Sequence, residues 1–330
     1  MYADANLSIF AARNGEAFAK RLCAYLQRPL SSNEVHVFSE GTSFVRFNES
    51  VRDRHVYLVS PIALSPNDEM MELLFWLDAF RRSSALSVTV VMPYFAYAKG
   101  DKKDEPRVSV RARVCADCIE LCGADRIMVM DLHAAQIVGF FTKPMDHLYA
   151  LPMLCEAFKG MGVSMDNTVV VSPDSGYAKQ ARRFGAYLGL PVAIGDKTRR
   201  DHTERAEVLE VVGEVAGKDA LIVDDFSISG GTLVELSRFL KAQGARRVYA
   251  MLSHNTVSKQ GAQRLQDSPL EFVLSTDTVE NPNIRGLSKF KTISVAPLFA
   301  ECIIRYHDYR SVSPLFTSVP EALIPYTNPE

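Results

Sequence analysis

The stretch ALIVDDFSISGGTLVELSRFL (220–240) places two carboxylates, Asp224 and Asp225, at the end of an apolar run, followed by small residues and then a helical pattern. A strand buried on both faces can end in acids only where something beyond the sheet edge uses them. Behind the acids, Gly230 and Gly231 let backbone amides approach a phosphate, and a helix beginning near Thr232 turns its positive end toward it. The acids would repel that phosphate, so they suit vicinal hydroxyls or a magnesium ion beside it. The combination describes a ribose 5-phosphate pocket, with hydroxyls toward Asp224 and Asp225 and the phosphate held by Ser227, Ile228, Ser229, Gly230, Gly231 and Thr232. Two other apolar runs end in the same way: MDLH (130–133) presents Asp131 and His133, and SPD (172–174) presents Asp174. An Asp-Asp turn before an ordinary helix cap would explain the first pair alone but not the others. Carboxylates, imidazole and water are acceptable surroundings for magnesium when substrate phosphates complete its octahedron.

The elements that must position these groups are legible as apolar, β-branched runs at 88–95, 126–133, 168–174, 219–225 and 247–254. Helical periodicity separates them at 69–84, 110–124, 176–190 and 232–245, and Gly123, Gly189 and Gly244 stand where left-handed caps would close helices. Strands alternating with helices predict parallel sheets covered on both faces. The chain's 330 residues exceed one ordinary core. Periodicity breaks at FFTKPMDHLYALP, which divides the chain into a domain over 1–150, a second over 151–310 that carries the phosphate loop, and a proline-containing tail over 311–330 expected to be loose at its end.

A net charge of −2 argues against nucleic acid or an anionic membrane as partner. No run approaches the roughly 18 apolar residues that span a bilayer. The stretch MYADANLSIFAARNG has no basic segment leading into an apolar one, so a cytoplasmic location is expected. Cys115, Cys118 and Cys122 share one helical face, where free cysteine acts as a small buried hydrophobe, and no fourth ligand for a metal stands near them.

Taken together, FNESVRDRHVYLVSP, PYFAYAKGDKKDEPR, GADRIMVMDLHAAQIVGFF, DHLYALP, VVVSPDSGYAKQ, ALIVDDFSISGGT and RSVSPLF resemble, in order and over nearly the whole chain, the ribose-phosphate diphosphokinases, or phosphoribosyl pyrophosphate (PRPP) synthetases. The resemblance implies an α/β fold of two phosphoribosyltransferase-type (type I) domains, each a mainly parallel sheet flanked by helices. It implies Mg2+-dependent transfer of the diphosphoryl group of ATP to the anomeric hydroxyl of ribose 5-phosphate, giving PRPP and AMP. By the same resemblance His133 is a magnesium ligand near the ATP phosphates, and Asp174 holds a second magnesium with the ribose hydroxyls. Lys197 and Arg199 in the mobile loop GDKTRRDHTER are the catalytic flap, and Phe38, Glu40, Thr42, Lys99, Gly100 and Asp101 line the ATP site. Ser50, Arg52, Ser311, Ser313 and Phe316 match an allosteric site for phosphate and ADP in the phosphate-activated branch, and the assembly implied is a homo-oligomer, a hexamer.

The departures fall on substrate positions. The family's adenine loop reads FSEGTSF here, leaving Phe38 to stack but Glu40 and Thr42 in the polar places. YARQD becomes YAKGD, so Lys99 lacks the planar fork of arginine and Gly100 offers no side chain. Ile228 replaces the third aspartate of the phosphate loop, and Tyr177 a glycine after Gly176. These changes leave open a larger ribose 5-phosphate ester such as ADP-ribose as acceptor, or a non-catalytic regulatory subunit of the same family. A PRPP-consuming transferase ranks last, because it has no need of the first domain.

Overall fold

The computed structural model describes residues 6–199 and 207–329, with backbone alone over 196–199 and 207–209. It divides the chain into two compact units. One takes the chain up to Tyr149 together with Thr278–Glu280 and Val295–Thr317, and the other takes Ala150–Asp277, Asn281–Ser294 and Ser318 onward.

In chain order the first unit contains β1 (Leu7–Ala11), α1 (Glu16–Leu26), β2 (Asn33–Val37), β3 (Ser43–Phe47), β4 (His55–Val59), α2 (Pro66–Arg82), β5 (Ser87–Met92), α3 (Arg111–Cys122), β6 (Arg126–Met130) and β7 (Met145–Leu148). The second contains α4 (Leu151–Gly160), β8 (Thr168–Ser172), α5 (Ala178–Leu188), β9 (Val192–Arg199), β10 (Glu207–Val212), β11 (Asp219–Ser227), α6 (Gly231–Ala242), β12 (Arg247–Asn255), α7 (Lys259–Gln266), β13 (Val273–Thr276) and β14 (Phe290–Ile293). The last long helix, α8 (Ala296–His307), returns to the first unit.

The first unit's sheet runs β1-β4-β5-β6-β7, with every pairing parallel. The second runs β10-β9-β8-β11-β12-β13-β14 and is parallel except at the β9–β10 edge. This is the α/β architecture the alternating pattern predicts, and β8, β11 and β12 are buried runs as expected of central parallel strands. The expected capping glycines all take positive φ: Gly123 at 120°, Gly189 at 70° and Gly244 at 88°.

The first core gathers Phe10, Trp76 and Phe80, with Phe47 of the β2–β3 hairpin stacked on Phe80 at 5.1 Å. That contact anchors the base of a hairpin whose tip is exposed. Residues 295–317, assigned from sequence partly to the second domain and partly to a tail, pack with the first unit. The reason is the apolar face of α8, whose Phe299 meets Phe18 of α1 edge-on at 5.4 Å. The end of the chain, expected loose, forms 3-10 turns over Ser313–Phe316 and Glu321–Thr327. Leu315 and Leu323 are fully buried there, and removing such side chains from water offsets the entropy of ordering a short tail.

Candidate active site

Strands β8 and β11 are parallel neighbours, with Val169 opposite Ala220 and Val171 opposite Ile222. Register therefore brings the acids at their carboxyl ends side by side. After β8, the Ser172 hydroxyl donates to the Asp174 carbonyl at 2.7 Å, and Asp174 Oδ1 accepts the Tyr177 amide at 2.9 Å. That turn starts α5 and fixes the carboxylate. Gly176 lies beneath it, since a Cβ there would come within 3.1 Å of Asp174 Oδ1. At the end of β11, Asp224 Oδ1 accepts the Asp225 amide and Asp225 Oδ1 the Phe226 amide, each at 2.9 Å. Burial pushes the Asp224 carboxyl well above the usual carboxylate range, and the charges of Asp225 and Asp174 push it further. Folding alone leaves Asp224 poorly compensated as an anion, as expected where hydroxyl protons or a cation are to meet it.

The loop from Ser227 to Thr232 is held from behind by α7 and the segment before it. Thr256 Oγ1 donates to the Ser227 carbonyl at 2.9 Å and the Ser258 amide to the Ile228 carbonyl at 2.9 Å. Ser229 Oγ accepts the Gly231 amide at 3.3 Å. Gly230 has φ +71°, and a Cβ on it would meet Leu265 Cγ at 2.9 Å, so this turn admits only glycine without strain. Gly261 of α7, which the sequence reading missed, is equally committed: a Cβ would meet the Ile228 carbonyl oxygen at 2.8 Å and the Ser229 carbonyl carbon at 2.9 Å. Its signal was a glycine inside the helical stretch KQGAQ. Ile228 points its side chain to solvent, 51% exposed, while its carbonyl holds the loop. The substitution therefore changes the rim of the pocket and not the path of the backbone. The N-cap residue of α6 is Gly230, which has no side chain to cap the helix, and the side-chain acceptor on its first turn is Ser229 Oγ at the Gly231 amide.

In the first unit the segments after β5 and β6 meet. Asp101, at the end of the 3-10 turn Ala96–Gly100, accepts from Gln136 Nε2 at 2.7 Å. Asp131 adopts φ +36°, a left-handed conformation that carries the chain into exposed His133. The turn is braced from β7, where His147 Nε2 accepts the Leu132 amide at 3.0 Å. His147 is a second supporting residue that spacing did not reveal. Gly100 is buried, and the space a side chain would take there belongs to Arg111, whose Nε lies 2.6 Å from the ideal Cβ position.

The β2–β3 hairpin carries Phe38, Glu40 and Thr42 at its tip. Phe38 is 51% exposed, and Thr42 Oγ1 donates to Glu40 Oε1 at 2.6 Å, which lowers the Glu40 carboxyl. Among the described residues no hydrogen bond joins these three to the segments after β5 and β6. Ser50 and Arg52 are exposed on the approach to β4, and Ser311 and Ser313 are exposed after α8. The Arg305 guanidinium donates to the Ser311 carbonyl at 3.0 Å, and Phe316 packs edge-on to Tyr149 with centroids 6.0 Å apart.

Lys197 and Arg199, expected in a mobile loop, fall on β9, whose backbone pairs Lys197 with Leu209 and Arg199 with Glu207 of β10. Their side chains, and the rest of the flap at 200–206, lie outside the described residues. His133 belongs to the first unit and Asp174 to the second. Among the described residues no group of three or more His, Cys, Asp or Glu is arranged to hold a metal by itself. Magnesium is ordinarily held by one or two carboxylates, with water and substrate phosphates supplying the remaining ligands. The acids at 174, 224 and 225 fit that role. Cys115 is buried and its thiol is pushed up to about 11, mainly by burial, while Cys118 and Cys122 are partly exposed.

Residues 7–123 match the family described as the N-terminal domain of ribose phosphate pyrophosphokinase, and residues 200–317 match the phosphoribosyl synthetase-associated domain. The chain is 41% identical to the ribose-phosphate pyrophosphokinase of Caldanaerobacter subterraneus subsp. tengcongensis, over 94% of this chain and 98% of that one. It is 40% identical to the protein of the same name from Chlorobaculum tepidum, over 94% of this chain and 95% of that one. The crystal structure of phosphoribosylpyrophosphate synthetase from Mycobacterium smegmatis superposes with a TM-score of 0.86 at 34% identity, covering 92% of this chain and 99% of that one.

Proposed function

The chain belongs to the ribose-phosphate pyrophosphokinase family, and from that membership we propose that it transfers the β,γ-diphosphoryl group of ATP to the anomeric hydroxyl of ribose 5-phosphate, giving PRPP and AMP. The observation that carries the reading is the three-acid cluster of Asp174, Asp224 and Asp225 beside a phosphate loop seated from behind by α7. Asp224 and Asp225 accept hydrogen bonds from the sugar's vicinal hydroxyls, and the amides from Ser227 to Thr232 receive its 5-phosphate. That grip fixes the C1 hydroxyl oxygen for in-line attack on the β-phosphorus, and the bond to the α-phosphate oxygen breaks as AMP leaves. Asp174, and His133 on the nucleotide side, are the residues that would hold Mg2+. When bound, the ion neutralises charge on the diphosphoryl group. Lys197 and Arg199 add positive charge over the transferring group. Phe38 stacks on the adenine, with Glu40 and Thr42 as its polar neighbours, and Lys99 meets a phosphate.

The location fitting these substrates is the cytoplasm. Among the described residues no helix is long and apolar enough to cross a membrane. Val37, Phe38 and Phe44 expose apolar surface on the hairpin, which suits burial against a second copy in a hexamer. Ser50, Arg52, Ser311, Ser313 and Phe316 form the candidate effector site for phosphate and ADP.

Release of AMP from ATP, measured with ribose 5-phosphate and then with ADP-ribose as acceptor, tests the reading. We expect AMP with ribose 5-phosphate, and loss of at least about 100-fold in rate for Asp225→Asn. AMP only with ADP-ribose would move the acceptor to the larger ester, which the exposed Ile228 on the pocket rim would then contact. No AMP with either acceptor, with the chain co-assembling with an active relative, would make it a regulatory subunit.

A further inference from the structure

We propose that the Arg111 guanidinium, seated across Gly100, is a polyphosphate contact of the nucleotide site; this rests on the nucleotide reading above and names a residue that reading does not use. Residue 100 closes the 3-10 turn after β5 and is buried, yet it has no side chain to offer a ligand. The space is filled instead from α3. An ideal Cβ at position 100 would lie 2.6 Å from Arg111 Nε, 2.8 Å from its Cβ and 3.3 Å from its Cζ, so the arginine side chain lies across the glycine backbone. Any larger residue at 100 would evict it.

Arg111 opens α3, which packs on the turn after β5 and on the turn after β6 that carries Gln136. It therefore stands at the carboxyl edge of a parallel sheet, where open α/β folds bind their ligands. Among the described residues its charge is not taken up by an acid. Arg113, on the same helix, is held by Asp117 at 2.6 Å, whereas among the described residues no acid pairs with Arg111. Asp101, the acid adjoining Gly100, is engaged by Gln136. Burial raises the Tyr97 phenol, and that rise is opposed by the Arg111 charge nearby. Beside it, Lys99 supplies a compact point charge, while a guanidinium supplies a planar fork that matches two phosphate oxygens at once. The pair of Lys99 and Arg111 thus restores a forked cation next to a lysine, with the fork delivered from the following helix. The ligand class is the polyphosphate of a nucleoside triphosphate.

The test uses the full chain and MgATP. Arg111→Gln, Arg111→Lys, Gly100→Ala and the Gly100→Ala/Arg111→Gln double variant are titrated with MgATP by calorimetry, and KM is measured for both substrates. Arg111→Gln is expected to weaken ATP binding by about tenfold or more, as for a lost charge-assisted contact, with the ribose 5-phosphate KM within about twofold. Arg111→Lys should recover only part of the loss. Gly100→Ala should weaken ATP in the same direction but add nothing in the Arg111→Gln background, because the residue it displaces is already gone. Unchanged ATP affinity in a folded Arg111→Gln variant overturns the assignment, as does additivity of the two changes. A wild-type chain that binds MgATP but releases no AMP with ribose 5-phosphate ends the proposed reaction, and calorimetry still decides Arg111. A chain that does not bind MgATP at all overturns both.

Discussion

Replacing Gly261 by alanine should damage the proposed sugar phosphate site without replacing any residue assigned a ligand contact. Gly261 lies in α7 with an ordinary helical backbone, and its amide donates to the Ser258 side chain at 3.1 Å, a bond alanine retains. In isolation the change stabilises a helix by about 1 kcal/mol. Against it stands the phosphate loop: the new Cβ would meet the Ile228 carbonyl oxygen at 2.8 Å and the Ser229 carbonyl carbon at 2.9 Å, about 0.5 Å inside ordinary contact. These are backbone atoms with no rotamer to yield, so overpacking costs about 1–3 kcal/mol. The balance is a loss of about 0–2 kcal/mol, which for units of this size lowers Tm by a few degrees. Function should suffer more. Moving the loop by about 0.5 Å pulls its amides off the phosphate, and a weakened charge-assisted hydrogen bond is worth about 1.5–3 kcal/mol, or tenfold and upward in the ribose 5-phosphate KM. The ATP KM should stay within about twofold, because no adenine or polyphosphate contact rests on α7. Gly160→Ala is the control: the same change at the end of α4, where a Cβ meets nothing within 4 Å. Steady-state AMP release with each substrate varied in turn is the assay. A folded Gly261→Ala enzyme with an unaltered ribose 5-phosphate KM refutes the claim that α7 seats the loop.

Three other perturbations probe burial elsewhere in the fold. The folded-state pKa of Asp224 is raised, so its contribution to stability is present below the unfolded carboxylate value and lost as pH rises through the folded value. Asp224→Asn should therefore melt higher than wild type near pH 8 without ligand, with the gap closing toward about pH 4, while activity falls by about 100-fold or more; a variant that melts lower at pH 8 counts against the burial argument. Mild alkylation near pH 8 should mark the partly exposed Cys118 first and Cys122, whose thiol burial also raises, after it, since burial pushes Cys23 up to about 12, Cys115 up to about 11, and Cys155 and Cys302 up as well. Mass spectrometry reads the order, and Cys155 labelling at a comparable rate would contradict it. Leu323→Ala empties a fully buried site in the 3-10 turn packed on α4 and should cost about 2–4 kcal/mol, read as a lower Tm; an unchanged Tm would mean the turn is dispensable.

What the sequence disclosed and what it hid divide along a physical line. The DD pair, the glycine turn and the start of α6 follow one another along the chain, and a strand buried on both faces writes itself as an unbroken apolar run, so that half of the site was legible from 220 to 232. Asp174 and His133 were legible as residue types at strand ends for the same reason. The strands β1 and β4 went unread, and the hairpin bearing Phe38 looked like a loop because β2 has no buried residue and β3 alternates half-buried with exposed ones, so neither forms an unbroken apolar run. The supports were hidden for a stronger reason. Parallel strands are joined by crossovers, so the group that steadies a strand end comes from an element far along the chain. His147 braces the turn before His133 from the next strand, Gly261 seats a loop more than thirty residues upstream, and Arg111 fills the place of residue 100 from the following helix. Phe316 extends the pattern: it lies against Tyr149, whose ring is 4.6 Å from that of His147, so the tail and the His133 turn share one packed path across residues nearly two hundred positions apart. A substitution read from spacing alone, such as glycine for glutamine at 100, therefore looks like a lost contact. Seen with its neighbours, it is a position whose side-chain space Arg111 already fills.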